Sequence, residues 1–422
     1  MHLHHLLQRH LEHLAVVIGP RMIGTAGNLA AADYIEEIFR TTKLTLQRQS
    51  YPCPAWSADE CQLQIGGSTF DAIPNTYSPS CTVAAPLAVV RTLAELAAVD
   101  ATNRILLLCG ELTTDPIMSL VDHAIYLPER DCTIGQLLRQ KAPKAIIAVN
   151  LSHRYNPILL EDIRLNIPSV TVSAEVGRCI LQHSHLPITL KISSVMKPGE
   201  TANLIGLTRS IGTHRIILCA HYDTKNGTPG AWDNASGVAA LLALAEQYAV
   251  ESPPVTIEFI AFSAEEYGIE DSYEDPYLGQ FGLAIPPFVY GQEIAALYKP
   301  SKLDDVLAVI NLDGIGLALS PNTVATMACS AELKALVDKV KLDYPAILGV
   351  NGWPASNHYG FYANGIPSIP ISSLEMKNIM HTAADTLDWV SGEQIGEVVS
   401  FVQRLVLALA DKSPLWCRQP RK

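Results

Sequence analysis

The second half of the chain alternates short, wholly apolar runs with longer segments in which apolar residues recur at helical spacing. Residues 235–249 and 392–410 have the length and periodicity of helices. The short apolar runs have the length of buried strands, and they cover residues 215–220, 255–262, 306–312 and 366–371. Because strands that alternate with helices form parallel sheets, the pattern predicts an α/β fold with a mostly parallel central sheet and helices on both faces.

The first 195 residues show two different patterns. Residues 3–42 have helical periodicity, which Ile18-Gly19-Pro20 interrupts. From about residue 51 to residue 192, short β-type runs lie between loops that contain Pro and Ser. A chain of 422 residues is long enough for two domains. We therefore expect residues 1–50 and 196–422 to form one domain, with residues 51–195 as a β-rich domain inserted into it.

Composition and charge narrow the classes of partner. The net charge is −12 and no Lys- or Arg-rich run interleaves with aromatic residues, so nucleic acid is not an expected partner. No stretch of 18 or more uncharged apolar residues occurs, so no membrane-spanning helix is expected. The N-terminus lacks the apolar core of a signal peptide, and the nine cysteines include no C-x-x-C pair. Both features favour a cytoplasmic protein with reduced thiols, provided that no signal peptide has been removed.

Histidine and carboxylate residues follow three of the predicted strands directly. His221, the pair Glu265-Glu266, and Asp313 each stand where an apolar run ends. Ligands of open α/β sheets bind at the carboxyl ends of the strands. We therefore expect these side chains to meet at one edge of the sheet.

Two further residues are ambiguous when each is taken alone. Asp233 precedes the predicted helix at 235–249, and an Asp in that place is more often an N-cap than a ligand. A single His such as His381, in a loop near the fourth strand, is more often a surface residue. Beside His221, however, a carboxylate at this helix start points at the same sheet edge, which favours a ligand at Asp233.

These five residues offer two imidazoles and three carboxylates. This nitrogen and oxygen ligand set suits Zn²⁺ and also Co²⁺ or Mn²⁺. Five ligands exceed the three that a catalytic zinc usually takes, and they suit two divalent ions that share a bridging carboxylate, with a bridging hydroxide as nucleophile. Of the pair Glu265-Glu266, one carboxylate can bind metal while the other transfers protons.

The order of these residues resembles the co-catalytic zinc metallopeptidases, the family of bacterial leucyl aminopeptidase, aminopeptidase Y and glutamate carboxypeptidase. The motifs of that family are HxD, GAxD[ND]ASG, EE after a strand, Asp after a strand, and a late His-Thr. The matching segments are His221-Tyr222-Asp223, Gly230-Ala231-Trp232-Asp233-Asn234-Ala235-Ser236-Gly237, Glu265-Glu266, Asp313 and His381-Thr382. In addition, Gly24-Thr25-Ala26-Gly27-Asn28 resembles an N-terminal segment of the family.

The resemblance implies a role for each residue. Two metal ions would be held by five ligands, with Asp233 bridging, His221 and Asp313 at one ion, and Glu266 and His381 at the other. Glu265 would be the general acid/base. Asp223 would accept the free ring N–H of His221 and fix its tautomer. The peptide bond between Asp233 and Asn234 would be cis.

The resemblance extends to the inserted region, and the chain departs from the family pattern in two places. Residues 51–192 resemble a protease-associated domain, through residues 105–110, 145–149 and 167–170. Where the family has Ser-Asp-His, this chain has Ser356-Asn357-His358, which puts a supporting contact in doubt but no metal ligand. Residues 270–299 are rich in acidic and aromatic side chains, which is typical either of a lid that shapes the substrate pocket or of an exposed variable loop.

These features favour a metal-dependent aminopeptidase that acts on peptides with a free N-terminus. A carboxypeptidase of the same fold is an alternative, although no Arg lies between Trp232 and His381, which leaves Lys299, Lys302 or an Arg of the insertion to bind a carboxylate. A glutaminyl-cyclase-like acyltransferase with one zinc fits five ligands less well. A catalytically inactive binding protein would lack a ligand or the general base, and none is missing. The sequence predicts neither the preferred N-terminal residue nor the oligomeric state.

Overall fold

A computed structural model describes residues 2–117, 129–151, 157–162, 165–209, 212–267, 303–353, 356–374 and 378–419. The chain divides into two compact units, one of Met1–Cys53 with Gly199–Lys422 and the other of Pro54–Pro198. The boundaries expected from the sequence, after residues 50 and 195, lie three residues before these divisions. The acidic and aromatic stretch at residues 270–299, including Lys299, lies outside the described residues, as does Lys302.

The first unit is built on a mixed sheet with a parallel centre. Its described strands, in spatial order, are Leu348–Gly349 (β14), Asn322–Val324 (β13), Ser368–Ser373 (β15), Val306–Leu312 (β12), Arg215–His221 (β10), Thr256–Phe262 (β11), Ile188–Leu207 (β9) and Thr45–Ile65 (β1). Strands β15, β12, β10 and β11 pair in parallel. Strands β9 and β13 flank them antiparallel. The predicted α/β fold is thus confirmed, and the antiparallel flanks make the sheet mixed.

The central strands are buried because helices cover both faces of the sheet. The helices of this unit are His2–Glu12 (α1), Ala26–Thr41 (α2), Ser236–Val250 (α6), Ala331–Lys341 (α7), His358–Ala363 (α8), Gly392–Leu409 (α9) and Pro414–Cys417 (α10). One face packs against α1, α2, α6 and α9 in a core that contains Leu7, Phe39 and Phe401. On the other face, Phe361 of α8 lies 6.4 Å from the Phe262 ring.

The second unit contains more helix than the sequence pattern predicts. Its own sheet has the order Ile73–Pro74 (β3), Ser169–Val172 (β8), Ala145–Val149 (β7), Ile105–Leu108 (β6) and Leu87–Val90 (β5). All neighbours except β3 and β8 pair in parallel. The shorter strands Ser68–Phe70 (β2) and Cys81–Ala85 (β4) pair with β1 and β9. The helices are Leu93–Ala98 (α3), Glu129–Lys141 (α4) and Ala174–Gln182 (α5), and they give this unit α/β character as well.

The last strand of the central sheet starts two residues later than the pattern predicts. The apolar run begins at Ile366, but the N–H of Ile366 donates to the carbonyl of Phe361 and closes the turn after α8. Pro367 has no N–H to donate, so the ladder begins with Ser368. None of the helices in the described part of the chain combines the length and apolar character that crossing a bilayer requires.

Arg21 joins the N-terminal segment to the loops at the carboxyl edge of the sheet. Its side chain is completely buried, and burial lowers its pKa to about 10, so it stays charged at neutral pH. The guanidinium donates to five main-chain carbonyls, those of Leu14, Gly19, Tyr222, Pro229 and Gly230, at 2.7–3.0 Å. A buried carbonyl without a donor costs about 1–3 kcal/mol, so this single side chain holds three loop segments together.

We expect Arg21→Met to lower the free energy of unfolding by on the order of 4 kcal/mol, because it leaves buried carbonyls without donors. Urea denaturation measures the change. The matched control is Arg404→Met, since Arg404 is more than half exposed and its contact with Asp343 is 3.9 Å long. That control should change stability by no more than about 0.5 kcal/mol. Equal effects of the two substitutions would contradict the role given to Arg21.

His358, in the segment that departs from the family pattern, is a buried neutral imidazole. Its Nε2 lies 2.7 Å from the carbonyl of Trp353, so Nε2 donates and Nδ1 is the acceptor. The amide nitrogen of Asn311 lies 3.4 Å from Nδ1. Burial lowers the pKa of His358 to about 4, and the fold therefore favours its neutral form.

Because the pKa of His358 is lower in the folded chain than its usual 6.5, its contribution to stability is complete above pH 6.5 and is lost as the pH falls toward 4. We expect this residue to account for about 3 kcal/mol of lost unfolding free energy between pH 7 and pH 4. Urea denaturation with a chelator present measures the loss. His358→Asn should be less stable at pH 7 but should lose less on acidification. Parallel pH profiles of the two proteins would refute the argument.

Candidate metal centre

Three neighbouring parallel strands bring ligand side chains to one edge of the central sheet. His221 is the last residue of β10, Asp313 directly follows β12, and Glu265 and Glu266 follow β11. The Nε2 atom of His221 lies 3.1 Å from Oδ1 of Asp313. The sheet edge expected from the sequence is therefore where these residues meet.

Asp233 lies between the two histidines. Its Oδ1 is 3.2 Å from Nε2 of His221, and its Oδ2 is 3.2 Å from Nε2 of His381. Nε2 of His381 is also 3.2 Å from Oε2 of Glu266. Each oxygen of one carboxylate thus faces a different histidine, which is the arrangement that a bridging ligand requires.

The described residues contain three groups that could hold a metal ion, with ligand atoms within 4.8 Å of one another. They are His221 with Asp233 and Asp313, Asp233 with Glu266 and His381, and His221 with Glu265 and Glu266. Oε1 of Glu266 is buried and has no hydrogen-bond partner among the described residues. A buried carboxylate oxygen without a partner is rare, and a cation would satisfy it. The nitrogen and oxygen donors suit Zn²⁺.

Burial and neighbouring charges shift the pKa values at this edge in opposite directions. Burial lowers the pKa of His381, but the charge of Glu266 and a hydrogen bond to Asp233 outweigh it and raise the pKa to about 9. At His221, burial is likewise outweighed by Asp313, and the pKa stands well above its ordinary value. Burial also raises the pKa of Glu266 well above the usual range. In the absence of a metal ion, the His381 imidazole therefore carries a proton at neutral pH.

Asp223 supports the glutamate pair from behind. Its Oδ1 accepts the N–H of Glu265 at 3.1 Å, and its Oδ2 accepts the N–H of Glu266 at 3.0 Å. Nδ1 of His221 lies 3.2 Å from the main-chain carbonyl of Asp223 and 3.6 Å from its carboxylate. The carbonyl is therefore the nearer acceptor for the ring N–H, while the carboxylate fixes the loop that carries both glutamates.

The hydrogen bonds of the loop before α6 show whether Asp233 caps the helix or faces the histidines. Asn234, not Asp233, caps the helix: its Oδ1 accepts the N–H of Gly237 at 2.9 Å. This leaves the Asp233 carboxylate directed at the histidines, and the Asp233–Asn234 peptide bond is cis, as the resemblance implied. Gly230 has a φ of +59°, and a Cβ there would lie 2.5 Å from the carbonyl oxygen of Asp233, so only glycine fits.

Sequence reasoning missed three residues near this site. Besides Arg21, the carboxylate of Asp385 accepts the N–H groups of Trp232 and Asp233 at 2.7 and 3.0 Å, and so it orients the loop that carries the shared carboxylate. Burial raises the pKa of Asp385 to about 7. The third is Lys225, whose Nζ donates to the carbonyl of Glu266 at 2.6 Å. No local pattern marks these residues, because each has partners 41 to 208 positions away in the chain.

Comparisons with known proteins agree with this arrangement. The family model of peptidase family M28 matches residues 203–406, which include all five candidate ligands and Glu265. Probable lipoprotein aminopeptidase LpqL of Mycobacterium tuberculosis is 28% identical over 260 residues, 60% of this chain and 50% of that protein. Probable leucine aminopeptidase 2 of Aspergillus fumigatus is 26% identical over 64% of this chain and 54% of that protein. The matches thus span about half the length of these two relatives.

Other matches extend over nearly the whole chain. Aminopeptidase YwaD of Bacillus subtilis is 24% identical over 95% of this chain and 84% of that protein. The structure of BSAP, a zinc aminopeptidase from Bacillus subtilis, superposes with a TM-score of 0.72 at 21% identity over 96% of this chain and 94% of that one. A peptidase M28 precursor from Shewanella amazonensis gives a TM-score of 0.73 at 17% identity, with 100% and 98% covered. The structural likenesses establish the fold, and the match to the family model of peptidase family M28 covers residues 203–406.

Proposed function

We propose that this chain is a metal-dependent aminopeptidase that removes the N-terminal residue from peptides. The observation that carries the proposal is the position of Asp233, whose two oxygens each face a different histidine, with a further carboxylate from Glu266 or Asp313 beside each. The names of the related proteins, several of which are aminopeptidases, support the same activity.

The candidate ligands would hold two divalent ions, most simply Zn²⁺. His221 and Asp313 would bind one ion, Glu266 and His381 the other, and Asp233 both. The unpartnered oxygen of Glu266 in the described part of the chain supports this assignment. When bound, a divalent cation supplies Lewis acidity, which polarises a carbonyl group and lowers the pKa of water.

Glu265 would transfer the protons of the reaction. Its carboxylate lies within 4.8 Å of ligand atoms of His221 and Glu266, and Asp223 holds its main-chain N–H. As water adds to the peptide carbonyl carbon, the carboxylate takes one of its protons. The same carboxylate then donates that proton to the leaving nitrogen, the C–N bond breaks, and a free amino acid and a shortened peptide result.

The negative charge of the carboxylates at the site favours a substrate with a free N-terminus. The side chain of His381 is 33% exposed, and Glu265 is partly exposed, so both border the accessible side of the site. Carboxylates concentrated there attract the ammonium group of a peptide N-terminus. Arg21 is sealed from solvent, so it does not serve as the cation that a carboxypeptidase needs for the terminal carboxylate of its substrate. The complete ligand set together with Glu265 favours an enzyme over an inactive binding protein.

We also propose that the inserted unit, residues 54–198, is a domain of the protease-associated type.

We expect the purified protein to hydrolyse aminoacyl-p-nitroanilides and to lose this activity when a chelator removes the metal. Glu265→Gln should reduce kcat by at least about 100-fold, since the amide cannot take the proton from water. Glu393→Gln, on the first turn of α9, is the matched control and should retain full activity. Activity that survives chelation, or an N-acetylated substrate cleaved as fast as the free one, would disprove the proposal.

We expect about two zinc ions per chain by elemental analysis of the zinc-loaded protein. Asp313→Asn should lower this content, while Asp304→Asn, at a 79% exposed side chain, should not.

Because the pKa of His381 is about 9 without metal, the ion must displace a proton, and zinc affinity should rise with pH up to about 9. Competition titrations with a chromophoric chelator measure this dependence. An affinity that is independent of pH would contradict metal binding by His381.

A further inference from the structure

Lys225 places an ammonium group beside the candidate metal centre. It lies two residues after Asp223, and its Nζ donates to the main-chain carbonyl of Glu266 at 2.6 Å. The same atom lies 4.1 Å from the centroid of the Tyr267 ring. The ammonium group thus lies against the main chain of the candidate ligand Glu266.

Two contacts hold this cation in a fixed position. The Tyr267 ring is buried and its hydroxyl accepts the N–H of Asn226 at 2.8 Å, which closes the loop that carries Lys225 over the ring. An ammonium group within about 6 Å of an aromatic centroid is attracted to the face of the ring. Lys225 itself is partly exposed, whereas Arg21 is fully buried and donates to main-chain carbonyls. Lys225 is therefore a cation that contacts the main chain of Glu266 and also borders solvent.

This position bears on which substrates the site accepts. Carboxylates dominate the edge of the sheet, so a negatively charged group of a substrate would be repelled unless a cation met it there. A lysine fixed beside the site supplies such a cation at little further cost in side-chain entropy, because two contacts already hold its end group. Its compact charge suits a carboxylate that approaches from the accessible side.

We propose that Lys225 is a specificity-determining residue that favours substrates with a carboxylate next to the hydrolysed bond. The inference rests on the proposed aminopeptidase function and adds to it a substrate class. Two sources of carboxylate have the required chemistry: an acidic side chain on the N-terminal residue, and the C-terminal carboxylate of a dipeptide.

Isosteric substrate pairs test the preference in the zinc-loaded wild-type protein. Asp- and Glu-p-nitroanilide are compared with the Asn and Gln derivatives, which have the same shape without the charge. Leu-Gly is compared with Leu-Gly amide. We expect kcat/KM to be at least tenfold higher for the charged member of one pair, and the pair that responds identifies the source of the carboxylate. If neither pair differs, or if the uncharged members are preferred, the inference is wrong.

Substitution then assigns the preference to Lys225. Lys225→Met keeps the length of the side chain and removes its charge, so the ratio between charged and uncharged members should fall at least tenfold. Lys225→Arg should keep most of the ratio, and Lys339→Met, on exposed α7, should leave it unchanged. A purely structural role would lower kcat/KM for both members equally, and an unchanged ratio would therefore overturn the assignment. Absence of hydrolysis of every substrate by the wild-type protein would overturn the aminopeptidase function itself, and the specificity inference with it.

Discussion

Mutual repulsion among carboxylates is the constraint on which this site depends. Asp233, Glu265, Glu266 and Asp313 share a small and largely buried volume at the carboxyl edge of the sheet. Removing like charges from water costs several kcal/mol per ion unless opposite charges offset the burial. In the absence of metal, the charges of Glu266 and Asp233 raise the pKa of His381 to about 9 although burial alone lowers it, so a proton on this imidazole supplies part of the positive charge. A divalent cation would supply the same charge at the centre of the cluster.

The surrounding structure holds these groups with main-chain hydrogen bonds more than with further ion pairs. Asp223 accepts the two N–H groups of the glutamate pair, and Asp385 accepts those of Trp232 and Asp233. Asn234 caps α6 and donates to the carbonyl of Leu312, next to the ligand Asp313. Main-chain donors and acceptors are fixed by the fold and cannot swing away as long side chains do. Each ligand therefore keeps its position although its neighbours repel it.

The central strands and the candidate ligands that follow them could be predicted from the sequence for one shared reason. A central parallel strand is covered on both faces, so it appears as an uninterrupted apolar run, and the first polar residues after it mark the sheet edge. This logic located His221, Glu266 and Asp313. Asp233 and His381 were ambiguous when each was taken alone, because a carboxylate before a helix also fits an N-cap and a single His is more often a surface residue. The position of Asp233 beside His221 and the order of these residues along the chain favoured both as candidate ligands. The structure separates the two roles by giving the cap to Asn234.

What the sequence could not predict depends on contacts between distant segments. Arg21 is a charged residue that follows Gly19-Pro20, a setting that suggests an exposed turn. It is nevertheless completely buried, and three of its five carbonyl partners lie more than 200 residues away in the chain. Asp385 and Lys225 are likewise defined by distant partners. The antiparallel flanks of the sheet escaped prediction because a buried strand reads the same in either direction. The late start of β15 depends on the N–H of Ile366 turning back to α8.

Because the candidate ligands are far apart along the chain, metal binding at this site would stabilise the fold of the first unit. The five candidate ligands span residues 221 to 381 and come from five separate segments, each at the end of a strand or in a loop. Two cations that share these five residues would close long chain loops that cost conformational entropy to bring together. Because an unfolded chain presents no such preformed set, the free energy of metal binding adds to that of folding. The same carboxylates therefore have opposite effects in the two states. Without a cation, their mutual repulsion destabilises the loops that carry them, and with bound metal ions they would hold those loops together.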